Sequence, residues 1–210
     1  RTPLNAIVGF SGLMATATSE EEKKMYTDII SENNERLLRL VNDIFDLSQI
    51  DAGVLNFVYS EFDANDLLRE LEGVFGMKLN ENPLVALICE AHLEPIMMHS
   101  EKQRIIQVLT NLLHNAMKFT KTGEIRFGCR TDEVCFYVSD TGIGIPEEEQ
   151  EKIFSHFTKL DREVQGTGLG LTLSETIIHN LGGRVGVKSE LGKGGTFWFI
   201  LPLITKKGVA

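Results

Sequence analysis

Apolar residues recur at helical spacing in the first quarter of the chain. Residues 1 to about 16 carry them three and four positions apart, and residues 20–51 repeat the pattern after a short polar break. Ser19 and Glu22 have the spacing of a capping box, which marks the beginning of the second helix. The pattern predicts two helices that form a hairpin ending near Ala52.

The second helix has an apolar face wider than contact with one other helix requires. Leu38, Val41 and Phe45 broaden the stripe that contains Leu40 and Ile44. Because one hairpin cannot bury so wide a face, we expect two copies to form a dimeric four-helix bundle. Packing of the same face against the second domain is the alternative.

From about residue 54 the pattern becomes that of strands with interspersed helices. Alternating or continuous apolar runs predict strands at residues 57–63, 83–91, 96–100, 124–130, 134–140, 184–190 and 196–202. The strands at 124–130 and 134–140 are expected to pair as a hairpin across residues 131–133. Helical spacing predicts helices at residues 64–78, 101–119, 146–154 and 168–181, the second of them with a capping box at Ser100. This order is typical of an α+β fold, a two-layer α/β sandwich.

These patterns divide the chain into three parts. We expect a helical domain at residues 1–56, a sandwich domain at residues 57–205 and a tail at residues 206–210.

Composition restricts the partners and the compartment. The net charge of -9 argues against a nucleic-acid surface, which needs clustered Lys and Arg. The three cysteines are odd in number and form no C-x-x-C pair, so we interpret them as core thiols in a reducing compartment. There is no signal peptide, and no apolar run approaches the roughly 18 residues that cross a bilayer. We therefore expect a cytoplasmic domain that meets a membrane only through segments outside this sequence.

Two glycine turns enclose a polar, charged segment. DTGIGIP occupies residues 140–146 and QGTGLGL residues 165–171. Glycine lets the backbone approach a ligand closely, so the pair suggests a phosphate-bearing ligand beneath a flap, although two ordinary loops would look similar. The spacing is not that of a dinucleotide fold, because Glu147 stands where the third glycine should be.

A polar helix face completes the pattern, with Asn111, Asn115 and Lys118 at consecutive turns. Together with Asp140, the segment 154–157 and the second glycine turn, this face resembles the N, G1, F and G2 boxes of the histidine kinase catalytic domain. That domain belongs to the ATPase superfamily of Hsp90, gyrase and MutL, which has the Bergerat or GHKL fold. Residues 192–197, GKGGTF, resemble its G3 motif. The hairpin is similar to the dimerisation and phosphotransfer domain of sensor histidine kinases.

The resemblance implies a site for ATP and Mg²⁺. Asn115 matches the magnesium ligand, Lys118 can reach a phosphate, and Asp140 matches the acid that accepts a hydrogen bond from the adenine amine. The implied nucleotide-binding residues are Asn111, Asn115, Lys118, Phe119, Asp140, Gly142, Gly144, Ile145, Phe157, Lys159, Gly166, Thr167, Gly168, Leu169, Gly170 and Thr196.

The resemblance also implies that Phe154 and Phe157 form the F box and that residues 155–165 form a lid that closes over the nucleotide. Lys159 and Arg162 are the lid cations that could neutralise γ-phosphate charge, or they could remain solvated surface residues. Gln165 stands where relatives often have glycine, so the sequence alone does not identify the hinge of the lid. The five histidines lack partners at metal-ligand spacing and are interpreted as structural.

The residue type at position 111 distinguishes kinases from hydrolases within this superfamily. Related ATPases resemble one another in carrying a glutamate there, one turn before the magnesium asparagine, where it activates water. Asparagine cannot accept the proton, so we expect ATP to be preserved for transfer to a protein nucleophile.

The phosphoacceptor is expected just before the R-T-P-L-N stretch, in the family pattern H-E-x-R-T-P. The sequence given begins at Arg1 and does not include that histidine, so these 210 residues are expected not to phosphorylate themselves. Thr2 matches the position that orients water for dephosphorylation of the response regulator.

The resulting hypothesis is the core of a two-component sensor histidine kinase. It would act as a homodimer, transfer the ATP γ-phosphoryl to a histidine of the helical domain, and pass it to an aspartate of a response regulator receiver domain. The alternative is a degenerate, nucleotide-dependent scaffold that performs no phosphotransfer.

Overall fold

The computed structural model describes residues 2–52, 57–79, 83–131, 133–154 and 168–202. The chain forms two compact units, residues 1–55 and residues 56–210, each of which is described by itself.

The first unit is the predicted helical hairpin. Helix α1 spans Thr2–Met14 and helix α2 spans Glu20–Asp51. The capping box at Ser19 is confirmed, because its side chain accepts from Glu22 N and the Glu22 side chain accepts from Ser19 N. Helix α2 ends at the predicted position, with Ala52 as its C-cap.

The two helices pack along one side and leave a second apolar side exposed. Phe10 and Tyr26 meet with their ring centroids 5.7 Å apart. Half or more of the surface of several apolar side chains is nevertheless accessible in the single hairpin: Leu4, Val8, Met25, Leu38, Val41, Ile44 and Phe45.

The second unit is a mixed sheet covered by helices. Its strands are β1 Ser60–Asp63, β2 Val85–Glu90, β3 Met97–Ser100, β4 Gly123–Arg130, β5 Cys135–Asp140, β6 Arg184–Glu190 and β7 Gly194–Ile200. Its helices are α3 Ala64–Leu79, α4 Lys102–Phe119, the short α5 Glu147–Gln150 and α6 Gly170–Asn180, with a 3₁₀ turn at Lys152–Phe154.

Five strands form the main sheet in the order β2-β4-β5-β7-β6. Only β2 and β4 are parallel; the other neighbouring pairs are antiparallel, including the predicted β4–β5 hairpin. Helices α3, α4 and α6 pack on this sheet and on one another. The α/β sandwich is therefore confirmed.

The core lies between the helices and alternate residues of the strands. Phe136 and Phe199 stack with centroids 5.0 Å apart. Ile105, Leu109 and Leu113 of α4 are completely buried, as the helical spacing predicts. Asp140 follows Phe136 and Val138 on the same side of β5, so its side chain leaves the sheet on the helix-covered face.

The structure corrects two local predictions. Ser100 is not the cap of α4, because it pairs with Ser60 as the last residue of β3 in a separate two-stranded sheet of β1 and β3. Glu101 is the N-cap instead, and its carboxylate accepts from Arg104 N at 2.5 Å. The helix predicted at residues 146–154 is divided into α5 and the 3₁₀ turn.

Candidate functional site

Asp140 ends β5 with a carboxylate that is partly withdrawn from solvent. Its Oδ1 accepts from Gly142 N at 2.8 Å. Burial raises the pKa of Asp140 above its usual range, whereas Gly142 N–H, the Thr120 hydroxyl and Gly195 N–H lower it in part. A carboxylate has about four lone-pair positions, so it retains acceptor capacity for a ligand.

The first residue of β7 lies too close to Asp140 to be anything but glycine. Gly194 has φ +88°, and a Cβ built on it would overlap the Asp140 carbonyl oxygen. Register pairs Asp140 with Gly195. The predicted G3 motif therefore lies against the residue that the resemblance assigns to adenine.

The loop after Asp140 is tied to the end of β6. Ile145 N donates to Ser189 Oγ at 2.9 Å, and Gln150 Nε2 donates to Ile145 O at 3.0 Å and to Ser189 O at 2.8 Å. Gly144 has φ +67°, and a Cβ there would overlap the Glu190 carbonyl oxygen. Glycine at this position is required by both conformation and space.

The C-terminal end of α4 meets the same loop. A Cβ on Gly142 would lie 2.5 Å from Phe119 O. The hydroxyl of Thr120 is buried and faces the Asp140 carboxylate. It nevertheless makes no hydrogen bond of regular geometry to any described residue, so a ligand atom could supply its partner.

Helix α4 also contacts the first turn of α6. Asn111 Nδ2 donates to Ser174 Oγ at 3.0 Å, and Ser174 Oγ donates to Gly170 O at 2.9 Å. A Cβ on Gly170 would overlap the Asn111 side chain. Asn115 is half-buried one turn further along α4, and Lys118 lies beyond it with Nζ 4.7 Å from the Phe119 ring centroid.

The N-terminus of α6 presents its backbone amides. Gly168 has φ +71°, and Leu169, the N-cap, is buried and provides no side-chain cap. The first amides of a helix have no intrahelical acceptors, so this end can bind an anion. Thr172 Oγ1 donates to Phe154 O at 2.9 Å and thereby joins α6 to the 3₁₀ turn.

Thr196 is not brought together with the Asp140 side chain. Its Oγ1 is 2.9 Å from Ser139 Oγ, and Ser139 precedes Asp140 on β5, so both hydroxyls lie on the opposite face of the sheet. There they line a cavity of about 470 Å³ with Glu90, Arg126 and Tyr137.

Some predicted site residues lie outside the described residues: Phe157, Lys159, Arg162, Gly166 and Thr167. Thr2 is the exposed first residue of α1 and belongs to the other unit.

Three side chains that the sequence did not single out organise the site. Ser174 supports Asn111, whereas Ser189 and Gln150 hold the loop at Ile145. Each is a common polar residue whose partner is 5 to 63 positions away, so no spacing marks it.

Described residues of α4, the Asp140 loop and α6 thus supply a half-buried carboxylate, two amide side chains and an uncapped helix N-terminus. A base with an amino group fits the carboxylate, and phosphates fit the helix end. An asparagine oxygen is a neutral, hard ligand that suits Mg²⁺.

Comparison with known proteins identifies the family. The family described as "Histidine kinase-, DNA gyrase B-, and HSP90-like ATPase" matches residues 100–205, and the "His Kinase A (phospho-acceptor) domain" matches residues 1–53. This chain belongs to the histidine kinases of two-component systems. The predicted family and the predicted fold are both confirmed.

Relatives of this kinase core are much longer than the chain. It is 33% identical to the autoinducer 2 sensor kinase/phosphatase LuxQ of Vibrio vulnificus (strain YJ016), over 97% of this chain and 25% of that protein. The sensor histidine kinase AruS of Pseudomonas aeruginosa is 34% identical over 97% of this chain and 21% of its own length. The chain thus spans about a quarter of the length of such curated relatives.

Solved structures of histidine kinases have the same architecture. Full-length ShkA in complex with AMPPNP superimposes with a TM-score of 0.75 at 30% identity, covering 99% of this chain and 44% of that one. ThkA in complex with the response regulator protein TrrA gives 0.71 at 28% identity, over 96% of this chain and 57% of that one. None of the described helices of this kinase core is long and apolar enough to span a membrane.

Proposed function

We propose that this kinase core binds Mg²⁺-ATP and transfers the γ-phosphoryl group to a histidine of a helical domain, from which it passes to an aspartate of a response regulator. The observation that carries the proposal is the Asp140 carboxylate, partly withdrawn from solvent at the end of β5 and held by the amide of Gly142. ShkA, which is similar over nearly the whole chain, was solved with an ATP analogue.

Asp140 selects adenine by the direction of its hydrogen bond. Its carboxylate accepts from the exocyclic amine of adenine. Guanine presents a carbonyl oxygen at that position, and two acceptors facing each other in a partly desolvated site repel. The nucleotide is therefore ATP rather than GTP.

The phosphates lie at the N-terminus of α6. The first backbone amides of α6 donate to phosphate oxygens, and the helix dipole favours their charge. Lys118 at the end of α4 adds a cation. Asn115 would hold Mg²⁺, which when bound neutralises phosphate charge during transfer.

Asn111 directs the chemistry toward transfer instead of hydrolysis. Its amide donates to Ser174 and cannot remove a proton from water. Within this arrangement no glutamate occupies the position one turn before Asn115. ATP therefore persists until a histidine nitrogen attacks.

The partners follow from the hairpin. The exposed apolar side chains of α2 fit a second copy of the same hairpin in a four-helix bundle, which gives a homodimer. ThkA was solved with a response regulator protein, and we assign a receiver domain as the phosphoryl acceptor here as well. Thr2, exposed at the start of α1, would orient water for dephosphorylation of that domain.

Phosphotransfer is tested by adding the three residues His-Glu-x of the family pattern before Arg1. Incubated with γ-labelled Mg²⁺-ATP, the extended chain should acquire acid-labile, alkali-stable label, whereas the 210 residues alone should not. Asn115→Ala should abolish the label, and Lys193→Ala, at an exposed ion pair in the β6–β7 turn, is the matched control. If the extended chain folds and binds ATP but stays unlabelled, the protein is a scaffold and not a kinase.

A further inference from the structure

We propose that Gln150 is a positioning residue that fixes Ile145, and with it the loop after Asp140, in the conformation that binds the nucleotide. This role rests on the proposed function, in which the same loop receives the adenine base. Gln150 is the half-buried last residue of α5 and belongs to none of the motifs that mark the site in the sequence.

The first half of the loop is held by bonds to backbone N–H groups. Gly142 N donates to Asp140 Oδ1 at 2.8 Å, and Gly192 N donates to Ile143 O at 2.7 Å. These two bonds hold the loop as far as Ile143.

The second half of the loop depends on side chains instead. Ile145 N donates to Ser189 Oγ at 2.9 Å, and Ile145 O accepts from Gln150 Nε2 at 3.0 Å. Among the described residues no backbone group bonds to Ile145, and Pro146, the N-cap of α5, provides no side-chain cap. Because both polar groups of Ile145 are held, the peptide planes on either side of it are fixed, and so is the direction of its side chain.

Gln150 connects the loop to a strand. Its amide nitrogen has two hydrogens, and each has a carbonyl acceptor: Ile145 O at 3.0 Å and Ser189 O at 2.8 Å. Ser189 belongs to β6 and lies 39 positions away along the chain. Ser189 thus holds the N–H of Ile145, whereas Gln150 holds its carbonyl and ties that carbonyl to β6.

Loss of these two bonds changes how often the loop lies on β6. Contact there is close, because a Cβ on Gly144 would overlap the Glu190 carbonyl oxygen. The apparent affinity of a ligand falls by the fraction of molecules that keep the binding conformation. Since the loop lies at the base and not at the phosphates, nucleotides with the same base should lose affinity by the same factor.

Titration calorimetry with Mg²⁺-ATP and Mg²⁺-ADP tests this role. Gln150→Met, of similar length but without a donor, should weaken both nucleotides about fivefold, the effect of about one hydrogen bond. Gln103→Met, the same change at an exposed position of α4, is the matched control and should leave both affinities unchanged.

Gln150→Glu distinguishes hydrogen bonding from packing. An ionised carboxylate can only accept and is repelled by the two carbonyl oxygens, whereas a protonated one can donate to one of them. Measured against wild type at each pH, the ATP affinity of Gln150→Glu should therefore recover as pH falls from about 8 to about 5. The ratio of Gln150→Met to wild type should stay constant over the same range.

A folded Gln150→Met variant with wild-type affinities would overturn the positioning role, as would a loss confined to ATP or a Gln150→Glu variant that does not recover. If Gln150→Met does not fold, Gln150→Asn, one methylene too short to reach both carbonyls, replaces it: reduced affinity supports the role and unchanged affinity refutes it. Wild type that binds neither nucleotide would instead contradict the proposed function, and the role of Gln150 with it.

Discussion

Asn111 Nδ2 donates to Ser174 Oγ at 3.0 Å and so connects α4 to α6. The bond holds the helix that carries Asn115 against the helix whose N-terminus receives phosphates in the proposed function. It also uses Asn111 as a structural donor, in the position where related hydrolases resemble one another in having a glutamate that acts as a catalytic base.

Ser174→Ala should lower the free energy of unfolding of the second unit by about 1 kcal/mol, because a buried hydrogen bond between two helices is lost. Nucleotide affinity should fall as well. Thr176→Ala is the control, since the bond of Thr176 Oγ1 to Thr172 O is its one bond among the described residues and matches the bond of Ser174 to Gly170 O, without a contact to α4. Urea denaturation of the two variants measures the difference, and equal losses would contradict the connecting role.

Gly144→Ala should be far more harmful than Gly192→Ala. Both residues have positive φ, which costs an alanine about 1 kcal/mol. The added methyl at position 144 also overlaps the Glu190 carbonyl oxygen, whereas the one at position 192 has no atom within 4 Å. This overlap with the backbone should lower the free energy of unfolding of Gly144→Ala by about a further 1–3 kcal/mol, measured by denaturation. It should also weaken ATP binding. Similar losses in the two variants would show that the loop does not lie against β6.

The helical unit should lose stability as pH rises. Burial, assisted by Asp46 and opposed by Arg39, raises the pKa of Asp43 from 3.8 to about 6. A raised folded-state pKa contributes stability that is complete below about pH 3.8 and is lost as pH rises through about 6.

Asp43→Asn, which cannot ionise, should therefore gain in melting temperature over wild type between pH 4 and pH 7. Circular dichroism of both proteins measures this, with the exposed Asp28→Asn of the same helix as control. A difference that does not change with pH would contradict the assignment.

Phe45→Glu should convert a dimer into monomers. Phe45 is 62% exposed in the single hairpin, and a buried charge at a dimer interface has no partner. Leu93→Glu, at a fully exposed position of the other unit, should leave the dimer intact. Sedimentation at several concentrations separates the outcomes; a wild-type monomer, or a Phe45→Glu dimer, would contradict the proposed bundle.

Local patterns predicted most of the fold because the periodicity of a helix or a strand can be recognised in a short stretch of consecutive residues. The Ser19 capping box and the β4–β5 hairpin depend on neighbours a few positions apart. Glu101 as cap of α4 was missed because strand pairing of Ser100 with Ser60, 40 positions away, overrides the capping signal.

The site residues that could not be predicted from the sequence are those whose contacts are distant along the chain. Glycine turns and the polar face of α4 were visible, since each is a local motif. Ser189 meets Ile145 across 44 positions and Ser174 meets Asn111 across 63, and neither serine differs in type or spacing from an ordinary polar residue. Thr196 was assigned from its motif, but strand alternation places its hydroxyl beside Ser139.

Titration of the wild-type chain and of Asp140→Asn with Mg²⁺-ATP and Mg²⁺-GTP tests the central claim most directly. Wild type should bind ATP and discriminate against GTP. Asp140→Asn should lose at least about tenfold in ATP affinity, because it removes the charged acceptor of the adenine amine. GTP bound as tightly as ATP by the wild type, or ATP bound unchanged by the variant, would contradict the assignment of this site.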